Sequence, residues 1–242
     1  MKLFQYWDTG DPPDDVAASI ESLRAMNPKM DHRLFDRDDA AWFIRKRFGD
    51  RQGRAFEACA VPAMQADYFR LAALTARGGV WADVDWQCVA PLDGLLVEAP
   101  RSLMLVLGNR LVTELIVAQR AGDAFMRACL ELATRNVEDR LDLGVIELTG
   151  PGVPNAIWAA AGGPKIDVDP NLAIRWSPDA IASRARAVVD ASVGEAMLAM
   201  TRRHVLWPGR WLRGTALAYK EGARHWTNWR GSPYLDPQVP AG

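Results

Sequence analysis

The sequence predicts a layered α/β domain. Three observations carry that expectation. Short strand-like runs alternate with helical stretches, and Gly, Pro, Asn and Asp punctuate the alternation. The chain has 242 residues and 49% hydrophobic content, enough for one large core without disulfide or metal support. Taken in order, Lys2–Trp7 reads as a first strand, ended by the turn-forming run Thr9–Asp15. Asp14 or Asp15 caps a helix running to about Met26, and Asn27-Pro28 stops it. His32–Phe35 is a short strand and Arg37–Phe48 a second helix. Ala63–Arg77 is the clearest helix, with Pro62 before it and Gly78-Gly79 after it. Val80–Asp85 is a strand, followed by a loop at Pro91-Leu92-Asp93. Leu103–Leu107 is another strand, and Asp123 caps a helix to Thr134. Val145–Leu148 and Lys165–Val168 read as strands with a helix, Val153–Ala161, between them. The last forty residues differ in being rich in Trp, Arg and turns.

Composition excludes several function classes. Lys and Arg total 29 against 30 Asp and Glu, so nothing global attracts nucleic acid. The three cysteines, Cys59, Cys88 and Cys129, are odd in number and lack CxxC spacing. They read as reduced thiols, neither a disulfide framework nor a zinc site. The histidines, His32, His204 and His225, are too dispersed for an HExxH site. Glu98 and Arg101 interrupt the apolar run Leu95–Leu107, and Glu114 interrupts Leu111–Ala118, so neither crosses a bilayer. The first residues reach acid and proline at once and do not read as a signal peptide. The expectation is a cytoplasmic protein, at most peripherally attached to the inner membrane face. Ten tryptophans are the one compositional oddity, and clustered aromatics serve flat ligands as well as cores.

The most informative stretch is Ala63–Asp85. Asp67 and Arg70 lie three apart and share one face of a helix. Asp83 and Asp85 lie two apart on the expected strand, on the same side as Trp81, leaving Val80, Ala82 and Val84 as the inward set. From Asp67 to Arg77 a helix rises ~15 Å. From Val80 to Asp85 a strand advances ~16 Å. If Gly78-Gly79 reverses the chain, Asp67 and Arg70 return to the level of Asp83 and Asp85. Spacing thus predicts three carboxylates and one guanidinium in one cluster. Near-parallel carboxylates call for a cation, and oxygen-only ligation suits Mg²⁺ or Mn²⁺. A divalent ion beside an arginine suits a diphosphate. The bland alternative is a helix ion pair and a solvated strand end.

Ala66–Asp85, ADYFRLAALTARGGVWADVD, resembles the signature of sugar-binding glycosyltransferases of family 32, which contain a DXD motif. The likeness extends to Pro91-Leu92-Asp93, to the first strand at Leu3–Trp7 and to the turn Thr149-Gly150-Pro151. His225-Trp226 and Trp229 resemble a C-terminal element of the family in blurred form. The resemblance implies a GT-A fold with a mixed central sheet, a nucleotide-sugar donor, Mn²⁺ or Mg²⁺, and retention of anomeric configuration. It implies Asp85 as direct metal ligand, with Asp83 on ribose and sugar hydroxyls and on the metal through water. It implies Asp67 on the transferred sugar, Arg70 on sugar and diphosphate, and Trp7 as the platform for the base. Trp81 replaces the usual Tyr and keeps an aromatic wall. Asn228 stands where the family has Ser, so His225 and Asn228 are both candidates for the second protein ligand to the metal. A UDP-hexose is the favoured donor and GDP-mannose the second candidate. The acceptor is a saccharide, a lipid-linked saccharide or another hydroxyl compound.

The expected organisation is one domain over 1–242. Residues 1–100 form the donor half, 101–200 the acceptor half and 201–242 a closing segment. Between Thr201 and Arg230, seven basic residues, Lys220 among them, face one acid, Glu221, with Trp207, Trp211 and Trp226 interleaved. That segment is expected to close over a diphosphate, touch a membrane surface, or form a solvated basic face. No GxGxxG, GxxxxGK[ST] or GxSxG motif is present. Asp8, Asp11, Asp14 and Asp15 read as a solvated acidic turn. The rival functions are a metal-dependent phosphohydrolase and a catalytically silent nucleotide-sugar-binding protein. The first lacks visible extra metal ligands and a general base; the second should have lost part of the charged cluster.

Overall fold

The computed structural model describes residues 1–98, 102–107, 110–163, 179–201, 212–214, 217–223 and 225–235. The chain opens with strand β1 (Lys2–Tyr6), helix α1 (Asp14–Met26), strand β2 (Asp31–Phe35) and helices α2 (Arg37–Phe48) and α3 (Asp50–Ala58). Helix α4 (Pro62–Arg77) leads to β3 (Gly79–Ala82), β4 (Trp86–Cys88) and α5 (Asp93–Glu98). Strands β5 (Ser102–Leu107) and β6 (Arg110–Ala118) precede α6 (Ala124–Glu138), α7 (Val145–Leu148) and α8 (Gly152–Ala160). Helices α9 (Asp179–Arg186) and α10 (Ala191–Ala196), strands β7 (Met197–Thr201) and β8 (Leu212–Gly214), and a 3-10 turn at Ala218–Glu221 complete the order.

Among the described residues, six strands form one mixed sheet in the order β2-β1-β3-β6-β5-β7. β1 is parallel to both β2 and β3, and β5 is parallel to β7. β6 alone runs against its neighbours, pairing antiparallel with β3 and β5. β4 and β8 form a separate antiparallel ribbon. Alternation decides which face each side chain serves. Phe4, Tyr6, Trp81 and Ile116 join the core under α2, α4, α6 and α8, whereas Leu3, Val80, Ala82 and Leu115 pack on the other face with Leu23 of α1 and Leu212 of β8. Both faces are covered, as a largely parallel sheet requires.

Helix α4 is the spine of this packing, buried almost continuously from Met64 to Thr75. Pro62 starts it where no intrahelical N–H is needed, and the N–H of Gly78 closes it on the carbonyl of Leu74 at 2.8 Å. Gly79 then adopts φ +108°, and a Cβ there would lie 2.6 Å from the carbonyl oxygen of Lys2. Only glycine lets β3 start this close to β1.

Several expected elements differ. The strand read as Val80–Asp85 stops at Ala82, so Asp83 and Asp85 lie in the turn between β3 and β4. Val145–Leu148 is one helical turn, not a strand, because the Gly144 carbonyl accepts from Leu148 and its neighbours continue the pattern. Pro13, not Asp14 or Asp15, occupies the cap position of α1. Helix α3 and strand β6 were not anticipated as elements. Lys165–Val168, expected as a strand, lies outside the described residues. All three cysteines are buried and free of disulfide bonds. Among the described residues no helix is long and apolar enough to cross a membrane.

Candidate functional site

A cavity of about 680 Å³ opens at the carboxyl ends of β1 and β3, against the middle of β6. Ligand sites in open α/β sheets favour such strand ends. Trp7 and Asp8 enter it directly after β1, and Asp83, Val84 and Asp85 after β3. Helix α4 returns alongside β3, so Asp67 and Arg70 from its first turns arrive at the same level. The hairpin geometry read from spacing therefore exists in the fold, although the carboxylates leave from a turn.

Arg70 organises the floor. It is only 5% exposed, and its Nη1 donates to the carbonyl of Thr113 on β6 at 2.8 Å. Nη2 donates to Asp67 Oδ1 and lies 3.5 Å from Asp83 Oδ1. Its guanidinium also sits 5.2 Å over the ring of Trp81. Trp81 in turn donates its indole N–H to Asp83 at 2.7 Å. One backbone bond, Asp83 N–H to the Glu114 carbonyl at 2.8 Å, carries the β3–β6 ladder one residue beyond the strand. Asp67 is buried beneath this, with its carboxyl pushed up by burial and pulled back by Arg70. The Thr149-Gly150-Pro151 turn is pressed against it: a Cβ on Gly150 would lie 3.1 Å from Asp67 Oδ2.

Asp83 is an acid strongly perturbed by its surroundings. Burial raises its carboxyl to about 7, with Arg70 opposing the rise and the like charge of Asp85 adding to it. Asp85 meets a cation from elsewhere, since Lys220 Nζ lies 2.5 Å from its Oδ2. Lys220 belongs to the 3-10 turn that forms the opposite wall with Tyr219, His225 and Trp226. Tyr219 packs edge-on against Trp7, ring centroids 5.1 Å apart, and against His225 at 5.8 Å. The ring of His225 hydrogen-bonds the Thr227 hydroxyl through Nδ1 at 2.7 Å. Burial lowers its proton affinity, with Lys220 adding to the effect.

The structure thus brings Trp7, Asp67, Arg70, Trp81, Asp83, Asp85 and His225 to one cavity. Asn228 is not in its lining; its amide donates to the carbonyls of Lys220 and Gly222 and braces their loop. Sequence reasoning missed Thr113, Glu114, Val145, Ile146 and Tyr219, which also line the cavity, and gave Lys220 no particular place in the site. The signal for the first two was available: Leu111–Ala118 is a short run rich in β-branched and apolar residues, as an interior strand should be. Nothing local in the sequence marks Tyr219 or Lys220, because long-range folding brings them in.

Among the described residues no three His, Cys, Asp or Glu side chains gather closely enough to hold a metal unaided. The donor set nonetheless fits a hard divalent ion. Two carboxylates are held together in a partly buried cavity, and a cationic ammonium already stands on one of them. Mg²⁺ and Mn²⁺ ordinarily complete such a pair with water and phosphate oxygens.

Comparison with known proteins agrees with this architecture. Residues 13–101 match the family described as glycosyltransferase sugar-binding region containing DXD motif. The fold is of GT-A type, and residues 13–101 are similar to the DXD glycosyltransferase region. Among individual relatives, the chain is similar to the initiation-specific alpha-1,6-mannosyltransferase of Schizosaccharomyces pombe (strain 972), with 29% identity over 101 residues. That stretch covers 39% of this chain and a quarter (25%) of the relative's length. In three dimensions it is similar to the PaToxG glycosyltransferase, with a TM-score of 0.51 and 16% identity, covering 94% of this chain and 84% of that one.

Proposed function

We propose that the protein is a retaining, metal-dependent glycosyltransferase. It transfers a hexose from a nucleotide sugar, UDP-linked in preference to GDP-linked, to a hydroxyl of a saccharide or lipid-linked acceptor. The observation that carries this reading is the Asp67–Arg70–Asp83–Asp85 cluster at the floor of a cavity large enough for such a donor. The matched DXD region supports it.

In this reading Trp7 stacks on the base, and Asp83 accepts from ribose and sugar hydroxyls. Asp67, fixed by Arg70, accepts from the transferred sugar. Asp85 holds the ion with help from Asp83, and of the two C-terminal candidates His225 is the one that lines the cavity. The chemistry that a divalent ion supplies at such a site is neutralisation of charge on a departing diphosphate. Asp67, Asp83 and Asp85 have other roles in this reading, and neither Asp8 nor Glu114, which also line the cavity, is assigned as nucleophile, so the reading is same-face attack. The bond from the anomeric carbon to the phosphate oxygen breaks as the bond to the acceptor oxygen forms. The acceptor's proton passes to the leaving diphosphate oxygen. Arg70 and Trp81 hold Asp67 and Asp83 in place throughout. The whole chain acts as one domain, with residues 1–100 holding the donor, 101–200 receiving the acceptor and 201–242 closing the site.

Calorimetry with UDP and GDP tests this reading. Affinity should rise on adding Mn²⁺ or Mg²⁺, and the product formed from the matching sugar nucleotide should keep its anomeric configuration by NMR. Equal affinity in chelator, an inverted product, or a covalent glycosyl-enzyme in the mass spectrum would each overturn it.

A further inference from the structure

The cavity wall carries more negative than positive charge among the described residues. Five carboxylates line it against Arg70 and Lys220, and Arg70 is already committed to Asp67 and Asp83. Lys220 is therefore the cation with somewhere else to go. Its ammonium rests on Asp85, the carboxylate assigned above to the metal, and both side chains are partly exposed, 37% and 21%. The 3-10 turn that carries it is anchored ahead of the lysine by Leu217, Ala218 and Tyr219 and behind it by the Asn228 amide on the Gly222 carbonyl. The N–H of Ala218 donates to Asp15 Oδ2 at 2.9 Å, and Leu217 packs on Val16 and Ile20 of α1. Tyr219 leans on Trp7. Lys220 is thus held at the mouth of the cavity on a fixed base, with a flexible stem of four methylenes.

We propose that Lys220 is an exchangeable counter-ion: it neutralises Asp85 while the site is empty, yields that carboxylate to the divalent ion, and then pairs with the donor's diphosphate. The proposal rests on the metal-dependent donor reading above and assigns a role that reading does not contain. The ammonium sits on Asp85 Oδ2, and a divalent ion arriving on the same carboxylate repels it at short range, so metal binding weakens the ion pair and favours release of the ammonium. Once displaced, it remains within reach of the space beside Asp85, where a diphosphate on the metal would bring its remaining negative charge. Metal and diphosphate then favour each other, because each accepts what the other releases. The same exchange prevents two adjacent acids from facing an empty cavity uncompensated.

The test uses Mn²⁺ alone, then Mn²⁺ with UDP or GDP, on the full chain, read by calorimetry. Without nucleotide, Lys220→Met should bind Mn²⁺ about fivefold more tightly than wild type, as expected for losing a competing, partly exposed ion pair. Lys220→Arg should stay near wild type. With Lys220→Met, nucleoside diphosphate should improve Mn²⁺ affinity by a smaller factor than in wild type. A second measurement needs no variant: amine labelling of Lys220, mapped by mass spectrometry, should rise when Mn²⁺ is added to the wild-type protein. Equal Mn²⁺ affinity for wild type and Lys220→Met, or unchanged labelling, overturns the exchange while metal-linked nucleotide binding leaves the transferase reading standing. If neither protein binds Mn²⁺ with nucleotide, the transferase reading falls and the exchange falls with it. Should Lys220→Met fail to fold, the labelling result decides alone.

Discussion

Asp83 is where burial and chemistry conflict most. Its carboxyl titrates at about 7 in the folded chain, against an ordinary 3.8. The native state therefore holds a proton that the unfolded chain has lost. Stability from this group is full below about pH 4 and is lost as pH rises toward 7. Melting temperature of metal-free protein should accordingly fall between about pH 5 and pH 7, and Asp83→Asn should flatten that slope. A wild-type profile that rises or stays level across the same window would contradict the assignment. Mn²⁺ affinity should climb over that window, since the ligand must be ionised. Trp7 poses a different question, because it is a half-buried wall residue and, in the proposed reading, the platform for the base. Trp7→Ala should weaken nucleoside diphosphate binding by ~1–3 kcal/mol, and Trp7→Phe should recover much of that. A lowered melting temperature with unchanged affinity in the folded fraction would make Trp7 a core residue only, serving Val16, Ile20 and Leu217.

Elements made of local signals were legible, and elements defined by distant partners were not. Helix α4 carries a proline at its start and paired glycines at its end, so its bounds could be read within one residue. The meeting of Asp67 and Arg70 with Asp83 followed from rise per residue alone. The end of β3 did not, because its last ladder bond depends on Glu114 of β6, thirty-one positions away. Val145–Leu148 is apolar enough for a strand, but finds no neighbour in the sheet and closes on Gly144 instead. Among the described glycines, Gly79 makes the closest approach to the backbone of another element. Gly79→Ala should cost about 1–3 kcal/mol in strain, plus the clash with Lys2. Gly49, also at positive φ but with nothing within 4 Å, supplies the comparison. A denaturant midpoint for Gly79→Ala no lower than that of Gly49→Ala would refute the close approach of β1 and β3.

For the molecule as a whole, the cavity is built from both ends of the chain. Its floor comes from β1, α4 and β3, and its outer wall from Tyr219, Lys220, Gly222, Ala223, His225 and Trp226. Ending the chain at Gly214 should leave the six-stranded sheet and a cooperative, less stable unfolding transition, while reducing nucleoside diphosphate affinity tenfold or more, about 1.4 kcal/mol. Undiminished binding by the shortened chain would show that the wall contributes nothing to the donor. That wall is held at two points. On one side β8 pairs with β4, which directly follows Asp85. On the other, Tyr234 bridges Cys59, with the N–H of Ala60 on the Pro233 carbonyl and that of Leu235 on the Ala58 carbonyl, both at 2.9 Å. A segment tethered at both ends has fewer conformations to surrender than a free tail of equal length. The ordering entropy that a lid usually extracts from its ligand has thus been met in part during folding. In the reading proposed above, the donor would arrive at a closure already half made.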